Sequence, residues 1–246
     1  MDWPASSAGG DQPEGSSGHR DLDESTEATL RRYAALLAEA PLNLVSARDR
    51  DDVWSRHIIE SVEVCRHLPI VPRQRWLDLG TGGGLPGVVL AVLHPTVAVT
   101  LLDARQKKIR ALEHFVAELG LAQVTAVVGR AEQLARVSIH RGRYDGVTCR
   151  AVDRLVTSVE LARGFVRDGG VIAVVRGRDA HDERESLESV REALGVTDVH
   201  VVAVATEPRV AALVTMRADG PPPRWIPRRN GLPRTQPLDL PRRASE

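Results

Sequence analysis

Aromatic residues make up only 3% of this 246-residue chain: four Trp, two Tyr and two Phe. Stacking platforms for a splayed-out base are therefore scarce. Cysteine is equally sparse. Cys65 and Cys149 are too few for a disulfide framework or a clustered metal site, which implies a reducing cytoplasmic setting and no bound metal. No run approaches the roughly 18 consecutive apolar residues of a membrane span, so no membrane partner is expected. The opening MDWPASSAGG has neither the basic nor the apolar region of a secretory leader. Net charge is absent as well, with 33 Lys+Arg against 33 Asp+Glu. Lysine is almost missing, with only Lys107 and Lys108. That skew, with abundant Ala and Val, reads as a GC-rich coding bias, so the number of arginines argues nothing by itself.

What is present is ordinary globular material, 42% hydrophobic and 27% charged, with uneven ends. Asp2, Asp11, Glu14, Asp21, Asp23 and Glu24 face a single base, Arg20, near the start. Arg224, Arg228, Arg229, Arg234, Arg242 and Arg243 face only Asp239 and Glu246 near the end. The basic end suits a polyanion, although solubilising tails explain the same charges. Residues 1–24, rich in Gly and Ser, are expected to be a disordered acidic tail. Residues 25–70 read as a helical extension, with Leu30, Tyr33, Leu36 and Leu37 at helical spacing. Asp49 is the expected N-cap of a second helix running to about Leu68. Residues 71–219 alternate apolar runs with amphipathic stretches. The runs are Arg75–Leu79, Val97–Leu102, Gln123–Val128, Tyr144–Cys149, Val171–Arg176, Val199–Ala205 and Val210–Met216. Helical patterns separate them, most clearly Lys107–Leu119 and Glu183–Leu194, except between the last two runs. This predicts an α/β fold: a seven-stranded, mostly parallel sheet with helices on both faces, ending in an antiparallel strand. Residues 220–246, rich in Pro and Arg, are expected to be extended and unpacked.

The stretch Asp78-Leu79-Gly80-Thr81-Gly82-Gly83-Gly84-Leu85-Pro86-Gly87 ends a strand and opens a helix. Glycines there permit a tight turn and a close approach of backbone to ligand, and a helix N-terminus presents N–H groups. A purely structural turn remains open for such a loop. The next strand ends at Asp103, where a carboxylate can accept both ribose hydroxyls of an adenosine or cap the following helix. The third ends Val128-Gly129-Arg130-Ala131-Glu132, which puts a small residue and an acid beside an adenine edge. Asp78 adds negative charge that a pyrophosphate would oppose and a cationic amine or sulfonium would favour. No Walker lysine follows the loop. The pattern favours S-adenosylmethionine over NAD or ATP.

Asn43-Leu44-Val45-Ser46-Ala47-Arg48-Asp49, Arg56-His57-Ile58-Ile59-Glu60-Ser61 and the glycine loop together resemble the glucose-inhibited division protein B family. The likeness continues through Leu101-Leu102-Asp103, Ala131-Glu132, Tyr144-Asp145-Gly146-Val147, Cys149-Arg150-Ala151, Arg176-Gly177 and Pro227-Arg228-Arg229-Asn230-Gly231-Leu232-Pro233, covering about residues 42–237. The chain departs from that pattern at Val152, where an aromatic is common, and at Arg176, where a lysine is. The resemblance implies a class I Rossmann-like methyltransferase that modifies guanine N7 in bacterial small-subunit (16S) ribosomal RNA. It implies that Gly80, Gly82 and Leu85 line the methionine and ribose side of the cofactor, near which Asp78 places its charge, and that Asp103 takes the ribose hydroxyls. Ala131 and Glu132 would sit by the adenine, and Arg150 at the cofactor–substrate junction as the catalytic candidate.

Guanine N7 carries a lone pair and no proton, so transfer to it needs alignment and no general base. That agrees with the lack of any nucleophile–base constellation. His57, flanked by isoleucines, is expected to be structural, and Cys149 a buried apolar residue. RNA phosphates would be met by arginines, foremost Arg56, Arg176, Arg228 and Arg229, with Arg48, Arg150, Arg154, Arg178 and Arg224 behind them. Trp54 and Trp225 are the candidate stacking aromatics, Trp54 more as core. The expected partner is small-subunit ribosomal RNA or a 30S particle, and the expected state a monomer. A methyltransferase for a small molecule or protein, and a non-catalytic RNA-binding module, remain open at this point.

Overall fold

The computed structural model describes residues 22–150, 153–177, 180–206 and 209–238. The expected acidic tail up to residue 21, Ala151, Val152, Arg178, Arg242 and Arg243 lie outside them.

Helix α1 (Glu24–Glu39) begins where Asp23 accepts the Thr26 N–H at 2.9 Å and its hydroxyl at 2.7 Å. Its Leu30, Tyr33, Leu36 and Leu37 form one buried stripe. The expected second helix arrives in three pieces: a 3₁₀ turn at Ala47–Asp52, a wide π turn at Trp54–Ile59 and α2 (Glu60–Arg66). Asp49 is not its N-cap. It lies within the 3₁₀ turn, buried, accepting the Ser46 hydroxyl at 2.7 Å and Arg56 Nη1 at 2.5 Å. With its oxygens so engaged, the capping contact falls to Asp52, which accepts the Ser55 N–H at 3.2 Å.

Strands β1 (Arg75–Leu79), β2 (Ala98–Asp103), β3 (Val124–Val128), β4 (Tyr144–Arg150), β5 (Val166–Arg176), β6 (Val196–Thr206) and β7 (Arg209–Ala218) form one sheet in the order β3-β2-β1-β4-β5-β7-β6. All neighbours from β3 to β5 pair in parallel, and β7 runs antiparallel to both β5 and β6. Strand β5 starts five residues earlier than its apolar run, because an irregularity between Tyr144 and Gly146 lets Val166 pair with Tyr144. Helices α3 (Gly87–Leu93), α4 (Gln106–Glu118), α5 (Ala131–Leu134) and α6 (Leu155–Arg163) connect the parallel strands. The single helix expected before β6 is two, α7 (Ala180–Glu188) and α8 (Arg191–Leu194). Two apolar cores cover the two sheet faces, and α1 and α2 belong to the one built on α3 and α4. The reversal of strand order beside β1 leaves the crevice above the ends of β1 and β4, where ligands of such sheets bind.

The C-terminal segment is not the free tail its composition suggests. Residues 219–238 climb from the base of the sheet to its ligand-binding edge, with Ile226, Pro227 and Pro233 buried and a short helix α9 at Leu232–Thr235. Prolines supply carbonyls without N–H groups, so such a segment packs only where outside donors meet those carbonyls. Arginines do so. Arg163, fully buried at 0% exposure, donates to the carbonyls of Gly195 (3.0 Å), Asp219 (3.0 Å), Gly220 (2.7 Å) and Pro221 (3.1 Å). Burial lowers its pKa to about 10, which still leaves it charged at neutral pH. Arg141 donates to Pro222, Pro223 and Ile226, and Arg136 to Pro227.

Arg163→Met would leave the carbonyls of Asp219, Gly220 and Pro221 without this donor, while Gly195 keeps the Asp219 N–H, at a cost of roughly 1–3 kcal/mol for each that finds no water. It is expected to lower stability in urea by at least about 3 kcal/mol, while the half-exposed Arg167→Met changes it by less than about 1 kcal/mol. Equal losses for the two variants would refute the carbonyl-cage account.

Candidate functional site

The glycine loop is held from below by Asp78. This carboxylate is 1% exposed, and its oxygens are occupied by the Thr81 hydroxyl (2.5 Å), the Gly87 N–H (3.1 Å) and the Thr148 hydroxyl of β4 (2.9 Å). Burial pushes its pKa up, opposed by those three hydrogen bonds and the nearby Arg150 charge. Asp78 thus ties β1, the loop, α3 and β4 together, and it does not line the cavity above them. A side chain at Gly87 would collide with it, since a Cβ there would lie 2.7 Å from Asp78 Cβ.

From above, the loop meets the N-terminal extension. Tyr33 donates its hydroxyl to the Gly83 carbonyl at 2.7 Å. Gly84 has φ +97°, and a Cβ there would stand 2.7 Å from the Tyr33 oxygen, so both conformation and space call for glycine. Leu85 is buried behind the loop. Across the crevice Asp103 accepts the Gly82 N–H on Oδ2 (3.1 Å) and the Arg105 N–H on Oδ1 (2.8 Å). It therefore does shape the turn into α4 while also fixing the loop, and each carboxylate oxygen keeps a further lone pair for a ligand.

A cavity of about 340 Å³ opens at the ends of β1, β2 and β3, within the range of small-molecule sites. Leu79, Gly80, Leu102, Asp103, Gly129, Ala131 and Glu132 line it, with Leu161 of α6 opposite. Gly80, Asp103, Ala131 and Glu132 are thus brought together, whereas Gly82, Leu85, Asp78 and Arg150 support the walls or lie beside them. Glu132 accepts the Gly231 N–H (3.0 Å) and Arg130 Nη2 (3.1 Å), both on Oε1. Burial works to raise its pKa, but those two hydrogen bonds and one from its own backbone outweigh it and hold the carboxyl below its ordinary value.

Sequence reasoning missed four cations on the rim: Arg105, Lys108, Arg130 and Arg234. Lys108 stands 4.0 Å from Asp103, Arg130 pairs with Glu132, and Arg234 pairs with Asp153 at 2.9 Å. The pocket is consequently less acidic than Asp78 and Asp103 alone suggested. Only Arg234 left a usable signal, standing directly after the Asn230–Pro233 motif.

At the end of β4, Arg150 is enclosed by the N-terminal extension. Its Nη2 meets His57 Nδ1 at 2.7 Å and Glu60 Oε1 at 3.1 Å. A guanidinium only donates, so Nδ1 accepts, and a neutral His57 carries its proton on Nε2, 3.5 Å from Asp49 Oδ2. His57 is buried and structural, as its flanking isoleucines imply. Arg150 Nη1 is buried and has no hydrogen-bond partner among the described residues. Cys149 is fully buried with its thiol pKa pushed up by burial, which makes it inert.

Three of the four foremost RNA-binding arginines have other tasks. Arg56 pairs with Asp49 and Asp52. Arg176 grips Glu183 with two nitrogens at 2.6 and 2.7 Å and also donates to the Asp153 carbonyl. Arg228 pairs with Glu160, a fully buried carboxylate. Charges neutralised this way are not open to phosphate without breaking the pair. Arg229 and Arg48 are exposed. Neither tryptophan offers a face at the crevice: Arg31 covers the Trp54 ring at 4.2 Å, and Trp225, 44% exposed, lies at the base of the sheet.

An open α/β sheet with an antiparallel seventh strand, a glycine loop after β1 and carboxylates after β2 and β3 defines a class I S-adenosylmethionine-dependent methyltransferase. A solved tRNA (m1A58) methyltransferase TrmI from Aquifex aeolicus shares this fold, with TM-score 0.54 and 17% identity over 76% of this chain and 75% of that one. A family model described as rRNA small subunit methyltransferase G matches residues 26–211, and the chain belongs to that family. The ribosomal RNA small subunit methyltransferase G of Deinococcus radiodurans is 36% identical over 219 residues, 86% of this chain and 85% of the relative. That of Sorangium cellulosum is 37% identical over 214 residues, 85% and 86% of the two chains.

Asp103→Ala removes two anchors of the loop turn and a ligand acceptor, and is expected to weaken S-adenosylmethionine binding by on the order of 1.5–3 kcal/mol. Tyr33→Phe, which only frees the Gly83 carbonyl, should cost about 1 kcal/mol or less. Titration calorimetry checks both, and an Asp103→Ala protein that binds as tightly as the parent would contradict this placement.

Proposed function

We propose that the chain transfers the methyl group of S-adenosylmethionine to N7 of one guanine in 16S ribosomal RNA. The observation that carries the cofactor side is the single cavity that joins Gly80, Asp103, Ala131 and Glu132 at the ends of β1, β2 and β3. Its chemistry fits an adenosine: Asp103 would accept hydroxyl protons, Glu132 would accept from an exocyclic amine, and Leu102, Ala131 and Leu161 would give the base an apolar lining. The cofactor supplies a methyl group on a positively charged sulfur. Gly82 and Leu85 shape the methionine side, while Asp78 acts one layer below by fixing the loop.

The nucleophile is a lone pair, so no residue has to remove a proton. What the protein must do is align N7, methyl carbon and sulfur at about 3–3.5 Å and keep water out. Arg150 suits the junction because its guanidinium stands at the end of β4, held by His57 and Glu60, with Nη1 lacking a hydrogen-bond partner among the described residues. It acts as an electrostatic guide with no part in proton transfer. Arg229 and Arg48, both exposed, carry positive charge for the RNA backbone in place of the internally paired arginines.

A chain of zero net charge holds naked RNA weakly, so a partly or fully assembled 30S particle is the substrate. Among the described residues no helix is long and apolar enough to cross a membrane, and the ribosomal substrate implies work in the cytoplasm.

The test is transfer of labelled methyl to small subunits from cells lacking this gene, followed by nucleoside analysis. 7-Methylguanosine confined to one RNA fragment is the expected product. No label despite measurable cofactor binding would redirect the assignment to a small-molecule or protein acceptor. Arg150→Lys, which keeps the charge but loses the forked contact, should lower kcat at least about tenfold with the cofactor Kd little changed. Unchanged turnover would remove Arg150 from the site.

A further inference from the structure

Glu160 is an acid in the middle of α6 at 0% exposure, a placement that an unpaired carboxylate would not tolerate. Its partner comes from far along the chain. Arg228 donates to it through the backbone N–H (2.9 Å), through Nε to Oε1 (2.9 Å) and through Nη2 to Oε2 (2.7 Å). Three residues later the Gly231 N–H reaches Glu132 Oε1 (3.0 Å), the Pro233 carbonyl accepts the Thr157 hydroxyl (2.9 Å), and Arg234 enters the cavity wall. Gly231 and Arg130 both donate to Oε1 and so fix that oxygen, beside a contact from the residue's own backbone N–H.

We propose that residues 228–234 are a working part of the cofactor pocket, and that Glu160 and Arg228 are positioning residues for adenine recognition, acting through Gly231 on Glu132. This rests on the reading that Glu132 faces the adenine amino group. The buried ion pair sets the height of the segment, and the segment delivers one backbone donor that orients the carboxylate. Arg228, expected from the sequence to meet RNA, thus joins Glu160 in governing which base the cofactor site accepts.

The test uses the full chain with two probes, S-adenosylhomocysteine and its 6-deaminated analogue S-inosylhomocysteine, titrated by calorimetry. The parent should prefer the adenine form. Glu160→Gln combined with Arg228→Met removes both charges together and so leaves neither buried alone. That pair should cut affinity for S-adenosylhomocysteine about tenfold, one charge-assisted hydrogen bond's effect, and barely alter the inosine form. In a Glu132→Gln background the same pair should have no further effect. A loss equal for both ligands, or one that persists with Glu132→Gln, would overturn the proposal by making the pair merely structural. If Glu132→Gln alone leaves the adenine preference intact, the adenine reading itself fails, and the proposal with it. Should the paired variant not fold, Thr157→Val carries the same test, since it releases Pro233 without exposing or stranding a charge.

Discussion

One buried carboxylate organises the ligand side of this protein. Asp78 gathers a hydroxyl from the glycine loop, a backbone N–H from the start of α3 and a hydroxyl from β4. Each of those groups belongs to a different element, and only the Thr148 hydroxyl has a second acceptor, the Leu77 carbonyl at 3.4 Å. Replacing the carboxylate would strand the Thr81 hydroxyl and the Gly87 N–H, so the geometry of the loop, and through it the positions of Gly82 and Asp103, depends on this residue. Asp78 acts below the site, by shape, while Asp103 and Glu132 present oxygens to the cavity.

A second theme is the division of labour among arginines. Their abundance looked uninformative, and as a count it is. Their placement is not. Arg163, Arg141 and Arg136 serve backbone carbonyls along the proline-rich C-terminal segment and the turn before it. Arg56, Arg176 and Arg228 serve carboxylates within the fold. The planar, five-donor guanidinium is suited to both tasks, and a lysine could not bridge several carbonyls in one plane. The positive charge left for RNA is therefore modest.

Much of the architecture was legible because apolar runs of strand length alternate with helical periodicity. β1 was read at its true limits, and the antiparallel β7 followed from the lack of room for a helix before it. The cavity residues Gly80, Asp103, Ala131 and Glu132 were legible because each sits just beyond a strand, where chain order alone puts it at the ligand edge. What escaped depends on distant pairing. Proline-rich composition reads the same whether a segment is free or packed, and nothing near residue 228 announces a buried acid 68 residues earlier. Asp49 looked like a cap because its spacing allows one. Its oxygens were claimed by Ser46 and Arg56, a competition that spacing cannot reveal.

The contact between Glu132 and Gly231 joins residues 99 positions apart, and Arg234 completes the cavity wall after every strand of the sheet has been laid down. During synthesis the sheet can emerge and begin to pair while the pocket still lacks a wall. The nascent chain acquires the full wall of this cavity only once synthesis has passed Arg234.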